Sequence, residues 1–235
     1  MADDRADDLD ARTPAPRRDN QDPALFGQTP AQTVGPFFHY GLPWKGGGDL
    51  VGVSEMGARP DLFPADHYVL NTTAPHGAPQ GGVIEITGRV LDGAGEPVPD
   101  AMLEIWQANA AGRYASAEDG RADAPFDPNF IGFGRAATDA EGVYRFRTIR
   151  PGRAPGPGNS LQAPHIAISV HGRGLLTRLV TRLYFADGEG NDEDPILARV
   201  PEERRETLIA QRQGDGAWRL DIVLQGPRET VFFKL

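Results

Sequence analysis

Val83-Ile84-Glu85-Ile86-Thr87-Gly88-Arg89-Val90-Leu91, running into Asp92-Gly93-Ala94-Gly95, is the stretch that decides the fold class. Its β-branched side chains are stiff at χ1 and favour an extended backbone, and the Asp-Gly pair that follows is turn chemistry. The same pattern recurs downstream. Residues 102–108 alternate Leu103 and Ile105 with Glu104 and Trp106, and further strands are predicted over 134–138, 143–149, 165–170, 179–185, 218–224 and 230–233. Short strands separated by turns predict an all-β chain, a two-sheet antiparallel β-sandwich or a barrel. Only residues 201–210 read as helical, with Pro201 at the first position, Glu202 and Glu203 in the first turn, and Leu208 and Ile209 toward one face.

Composition bounds the function from outside. A chain of 235 residues can build one β-sandwich domain, and its 29 Gly and 21 Pro beside 39% hydrophobic residues supply a core interrupted by many enforced turns. No apolar run is long enough to span a bilayer, and Met1-Ala2-Asp3-Asp4-Arg5 has no apolar signal core, so a cytoplasmic protein without membrane contact is expected. The absence of cysteine removes disulfide frameworks, thiolate catalysis, zinc ribbons and iron–sulfur clusters. A net charge of −9 with no basic cluster argues against nucleic acid, and an anionic ligand would need a local arginine to hold it.

Three divisions are expected along the chain. Residues 1–22 carry seven Asp and four Arg with almost nothing apolar, a disordered acidic tail. Residues 23–80 read as an extended N-terminal arm and loops, including the aromatic but non-periodic Thr29-Pro30-Ala31-Gln32-Thr33-Val34-Gly35-Pro36-Phe37-Phe38. Residues 81–235 form the β-sandwich core domain.

Three blocks rise above this background. Leu103-Glu104-Ile105-Trp106-Gln107-Ala108-Asn109 leads into Gly112-Arg113-Tyr114, and core packing accounts for Trp106. Asp127-Pro128-Asn129-Phe130-Ile131-Gly132-Phe133-Gly134-Arg135 is a turn followed by aromatic and small residues. In Pro164-His165-Ile166-Ala167-Ile168-Ser169-Val170, alternation places His165, Ala167 and Ser169 on one face. A single histidine in a strand is more often a hydrogen-bonded structural imidazole than a metal ligand.

Together these blocks resemble the intradiol ring-cleaving dioxygenases. The likeness also takes in Thr29 to Phe37, Ala163-Pro164-His165-Ile166, Thr181-Arg182-Leu183-Tyr184-Phe185, Arg204-Arg205-Glu206-Thr207-Leu208-Ile209-Ala210 and Glu229-Thr230-Val231-Phe232-Phe233. The resemblance implies a ferric centre of two tyrosinates and two histidines, the latter spaced His-x-His. This chain departs from it: Ala122 and Ala154 stand where the tyrosines would fall, and Ala167 where the second histidine would. The five tyrosines offer no replacement, Tyr114, Tyr144 and Tyr184 reading as packing and Tyr40 and Tyr68 lying in the arm. Fe(III) wants hard anionic oxygen and imidazole donors, which one imidazole among alanines does not supply.

The resemblance explains the loss, because the family includes enzymes built from homologous alpha and beta chains of which only beta keeps the metal. It implies that this chain holds no catalytic or metal residue. Fe(III) would be ligated by a partner beta chain in a higher-order α/β assembly acting on a small aromatic substrate and O2. Thr33, Gly35 and Pro36 of the arm are expected to form part of the substrate pocket wall, and Arg173, set between Gly172 and Gly174, is expected to meet a substrate carboxylate. An arm that only locks the dimer and a solvated turn arginine are the plainer alternatives. Two rivals remain: a non-catalytic transthyretin-like sandwich acting as a binding or scaffold module, and a single-chain enzyme with displaced ligands, which Ala122, Ala154 and Ala167 disfavour.

Overall fold

The computed structural model describes residues 33–35, 37–38, 42, 44–67 and 77–234. The predicted acidic tail over 1–22, Tyr40, Tyr68 and Pro36 lie outside the described residues. Nine strands are present among them: β1 (Val83–Leu91), β2 (Met102–Trp106), β3 (Phe133–Ala137), β4 (Val143–Ile149), β5 (His165–His171), β6 (Leu179–Phe185), β7 (Ile209–Gly214), β8 (Ala217–Arg219) and β9 (Ile222–Val223). β1, β4 and β6 keep the bounds that residue pattern alone predicts.

The all-β sandwich is as expected. One layer runs β3-β2-β5-β6 with every pairing antiparallel. The other holds β8, β1 and β4, with β9 also beside β1. β7 joins the layers: it runs parallel to β6 through Tyr184↔Ile209 and Phe185↔Ala210, then antiparallel to β8 through Gln211↔Arg219. Because the chain enters β8 from β7, β8 and β9 lie parallel to β1, so three pairings depart from the antiparallel expectation. Period-two alternation is the same for either strand direction, which is why direction was not legible.

The other side of the sandwich is closed by a segment expected to be arm. Gly47 O accepts Arg135 N at 2.7 Å, Gly48 O accepts Arg147 N at 2.8 Å, and Leu50 N donates to Arg147 O at 2.8 Å, so residues 47–50 lie between the edges of β3 and β4. Leu50 and Val51 join the core. The buried Asp49 carboxylate accepts Val51 N at 3.1 Å and pairs with the Arg147 guanidinium at 3.3 Å.

Alternation builds the core. Ile84, Ile86 and Val90 of β1, Leu103 and Ile105 of β2, Tyr144 and Phe146 of β4, Ile166, Ile168 and Val170 of β5, and Leu183 and Phe185 of β6 all point between the layers. Each large side chain so buried contributes about 1.5–3 kcal/mol. Tyr144, read from sequence as packing, is fully buried and donates its hydroxyl to Leu220 O at 2.6 Å.

Three elements differ from expectation. The stretch 218–224 is not one strand, because Leu220 turns inward over Gly88, donating its N–H to Thr87 O at 3.0 Å. A β-carbon at Gly88 would overlap the Leu220 carbonyl, so glycine is what lets the two backbones meet there. The predicted helix over 201–210 is short: α1 covers Glu202–Arg205, a 3₁₀ turn follows at Glu206–Leu208, and Ile209 already begins β7. Tertiary pairing of Ile209 and Ala210 with β6 overrides the local helical signal. Residues 230–233 form no strand; single hydrogen bonds from Thr230 N to Val223 O (2.9 Å) and Phe233 N to Val180 O (2.7 Å) hold them as an extended strap.

Candidate functional site

The chemistry-bearing residues share the outer face of the β3-β2-β5-β6 layer. Cross-strand register sets Trp106 beside Phe133 and Ala167, and Ala167 beside Arg182. One step along, Glu104 faces Arg135 and Ser169, and His165 faces Tyr184. Trp106 therefore lies outside the main core, stacked on Tyr114 with ring centroids 5.8 Å apart. Two constellations form on this face, one at each end of β5.

The first surrounds His165. His165 is buried, its ring centroid 5.8 Å from that of Tyr184, which belongs to a second apolar cluster with Ala163, Leu197, Val200 and Leu208. His165 Nδ1 lies 2.8 Å from Ala163 O and donates to it when the ring is neutral, which leaves Nε2 unprotonated 3.5 Å from the Tyr114 hydroxyl. Burial, with the Arg182 charge in second place, lowers the His165 pKa to about 4. Arg182 Nη1 donates to Gln162 Oε1 at 2.6 Å and to the Tyr184 hydroxyl at 3.3 Å. Tyr184 in turn donates to Asp194 at 3.2 Å, a buried carboxylate that also accepts the N–H groups of Ala163, Ile196 and Leu197.

Two tyrosines read from sequence as packing thus flank His165. Burial raises the pKa of both Tyr114 and Tyr184, so each phenol keeps its proton. Ala154 is buried, Ala167 half-buried and Ala122 exposed on its loop. The donor set is one imidazole, the Tyr114 hydroxyl, a Tyr184 hydroxyl already donating to Asp194, and a guanidinium already in place. A ferric ion, which binds through several imidazole and anionic oxygen donors, finds one imidazole and one uncommitted phenol beside a repelling cation, a set that does not fit it.

The second constellation sits at the opposite end of β5, roughly 20 Å away for seven residues of strand. Thr33 Oγ1 accepts the backbone N–H of Gly174 at 2.8 Å, which brings the arm onto the turn that follows β5. Gly174 holds φ +85°, a left-handed conformation suited to glycine. Arg173, half exposed, forms an ion pair through Nε with the nearly buried Asp100. Gly35 accepts Phe38 N at 3.1 Å and has open space where a side chain would be. Of the expected pocket-wall residues, Thr33, Gly35 and Arg173 are therefore described in one region, and Pro36 is not described. A cavity of about 560 Å³ opens beside Arg173 and Asp100, with Trp44, Met56, Leu62 and Arg145 also in its wall.

Residue pattern missed Asp100, Gln162 and Arg182. Asp100 lies in the turn before β2 and carries no motif, and Arg182 stands out only within Thr181-Arg182-Leu183-Tyr184-Phe185. The strand register, in which Ala167 faces Arg182, is the signal that joins them.

Residues 62–226 match the family model described as "Dioxygenase". The chain is 40% identical over 214 residues to the protocatechuate 3,4-dioxygenase alpha chain of Burkholderia cepacia, covering 88% of this chain and 96% of that one. It is 44% identical over 175 residues to the beta chain from the same organism, covering 71% and 74%. Among solved structures, hydroxyquinol 1,2-dioxygenase from Pseudomonas putida DLL-E4 shares the fold at 22% identity and TM-score 0.51, over 83% of this chain and 65% of that one. The chain belongs to the intradiol ring-cleaving dioxygenase family. The beta-chain match is higher in identity but shorter. The alpha-chain match spans almost all of its relative, and the Pseudomonas putida alpha chain is likewise covered to 97% at 38% identity.

No helix among the described residues is long and apolar enough to cross a membrane.

Proposed function

We propose that this chain is the alpha subunit of a protocatechuate 3,4-dioxygenase, which with O2 opens protocatechuate to 3-carboxy-cis,cis-muconate. The iron is ligated by a homologous beta chain, and the alpha chain contributes part of the substrate pocket at their interface in a higher-order cytoplasmic α/β assembly. One observation carries this reading: the arm and the Arg173 turn meet in an exposed, one-sided cluster roughly 20 Å from His165, too far to serve the remnant site of their own chain. A half-pocket of this kind needs a second chain to complete it.

Thr33 supplies a hydroxyl, Gly35 and Pro36 a compact backbone wall, and Arg173 a cation for the carboxylate that distinguishes protocatechuate from catechol. Residues 1–22 are assigned as a tail outside this machinery. The alpha-chain length match and the unsuitable donors around His165 support the same assignment.

The test is expression of the chain alone and together with its beta partner. The isolated chain is expected to be colourless, iron-free and inactive. The co-purified complex is expected to hold iron, absorb in the visible range through tyrosinate-to-iron charge transfer, and consume oxygen with protocatechuate. Stoichiometric iron in the isolated chain would overturn the assignment.

A further inference from the structure

Arg173 is not a free turn arginine. The pairing of Met102 with His171 brings the entry to β2 next to the exit from β5, and Asp100 and Arg173 meet just beyond it. The turn carrying Asp100 is rigid: Thr138 Oγ1 accepts Ala101 N at 2.9 Å and donates to Val98 O at 2.7 Å, while Thr138 N donates to Ala101 O at 2.9 Å. The Arg173 turn is held in its own way, through Gly174 N on Thr33. Asp100 is nearly buried, and Arg173 is its only ion-pair partner among the described residues.

A guanidinium has two edges able to grip a carboxylate, Nε with one Nη and the Nη pair. Asp100 Oδ2 lies against Nε as an ion pair without a hydrogen bond of its own, and the Nη pair makes no ion pair or hydrogen bond among the described residues. Resting on the assignment of Arg173 to the substrate carboxylate, we propose that Asp100 is a positioning residue: it holds Arg173 by Nε and so presents the Nη edge to that carboxylate. Without Asp100 the arginine would keep its charge but lose its direction, and bidentate recognition depends on direction. Asp100 thereby sets preference for carboxylated over plain catechols without touching substrate.

The experiment uses the reconstituted α/β complex with protocatechuate and with catechol as an uncharged probe. Arg173→Ala should raise KM for protocatechuate but not for catechol, which tests the assignment beneath. Asp100→Asn should raise KM for protocatechuate about tenfold, the scale of one bidentate contact, with kcat and the catechol KM unchanged. It should add nothing in the Arg173→Ala background. Asp100→Glu, which keeps the charge, should assemble like the parent and show a smaller rise.

An unchanged protocatechuate KM in Asp100→Asn, beside a raised one in Arg173→Ala, overturns the role of Asp100 alone. Equal rises for both substrates in the Asn or Glu variant, or a full effect persisting without Arg173, overturn it as well, since they signal general structural damage. If Arg173→Ala leaves both KM values unchanged, the carboxylate assignment falls and the role of Asp100 with it.

Discussion

His165 is a buried imidazole that favours its neutral form. Burial and the nearby Arg182 charge take its pKa from 6.5 to about 4. In the unfolded chain the imidazole protonates near 6.5, so stability is fully present above that pH and falls as pH drops toward about 4, by about 3 kcal/mol in all. His165→Gln is expected to lose this contribution to the slope. Urea midpoints at pH 7.5 and pH 5 should differ less in the variant than in the parent, and an equal difference would show that His165 does not carry the effect. The absence of metal donors at Ala122, Ala154 and Ala167 was legible from sequence because it concerns side-chain identity. The presence of Tyr114, Tyr184 and Arg182 around His165 was not, because it depends on which residues the sheet register sets side by side.

At the scale of elements, β1 is the clearest case of local pattern prevailing. Its alternation, β-branched content and terminal turn all agree, and its bounds are those predicted. β7 is the opposite case. Pro201, the following acids and Leu208 make a sound helix start, yet Ile209 and Ala210 are taken into pairing with β6 after one turn of helix. The bend between β8 and β9 rests on Gly88. Gly88→Ala is expected to cost about 1–3 kcal/mol, because the methyl group meets the Leu220 carbonyl rather than a yielding side chain. The measurement is the urea midpoint of the isolated chain, and an unchanged midpoint would show that the β8–β9 junction relaxes freely.

For the whole molecule, the two ends of β5 differ: one holds the buried His165 cluster, and at the other the arm meets the exposed Arg173 turn. Removing residues 1–22 is expected to leave KM and the unfolding midpoint unchanged. Removing residues 1–36 takes away the Thr33 contact and should raise KM for protocatechuate in the complex, while the isolated chain unfolds as before. Weakened co-purification with an unchanged KM in the remaining complex would assign the arm to dimer locking alone. The sequence by itself determined an all-β chain and its turn-rich build, since strand periodicity and turn chemistry are local properties. Only the tertiary structure decided strand direction, the closure of the sandwich by residues 47–50, and the meeting of Thr33 with Gly174 across 141 positions. Those depend on long-range register and backbone hydrogen bonding, which no short stretch of residues encodes.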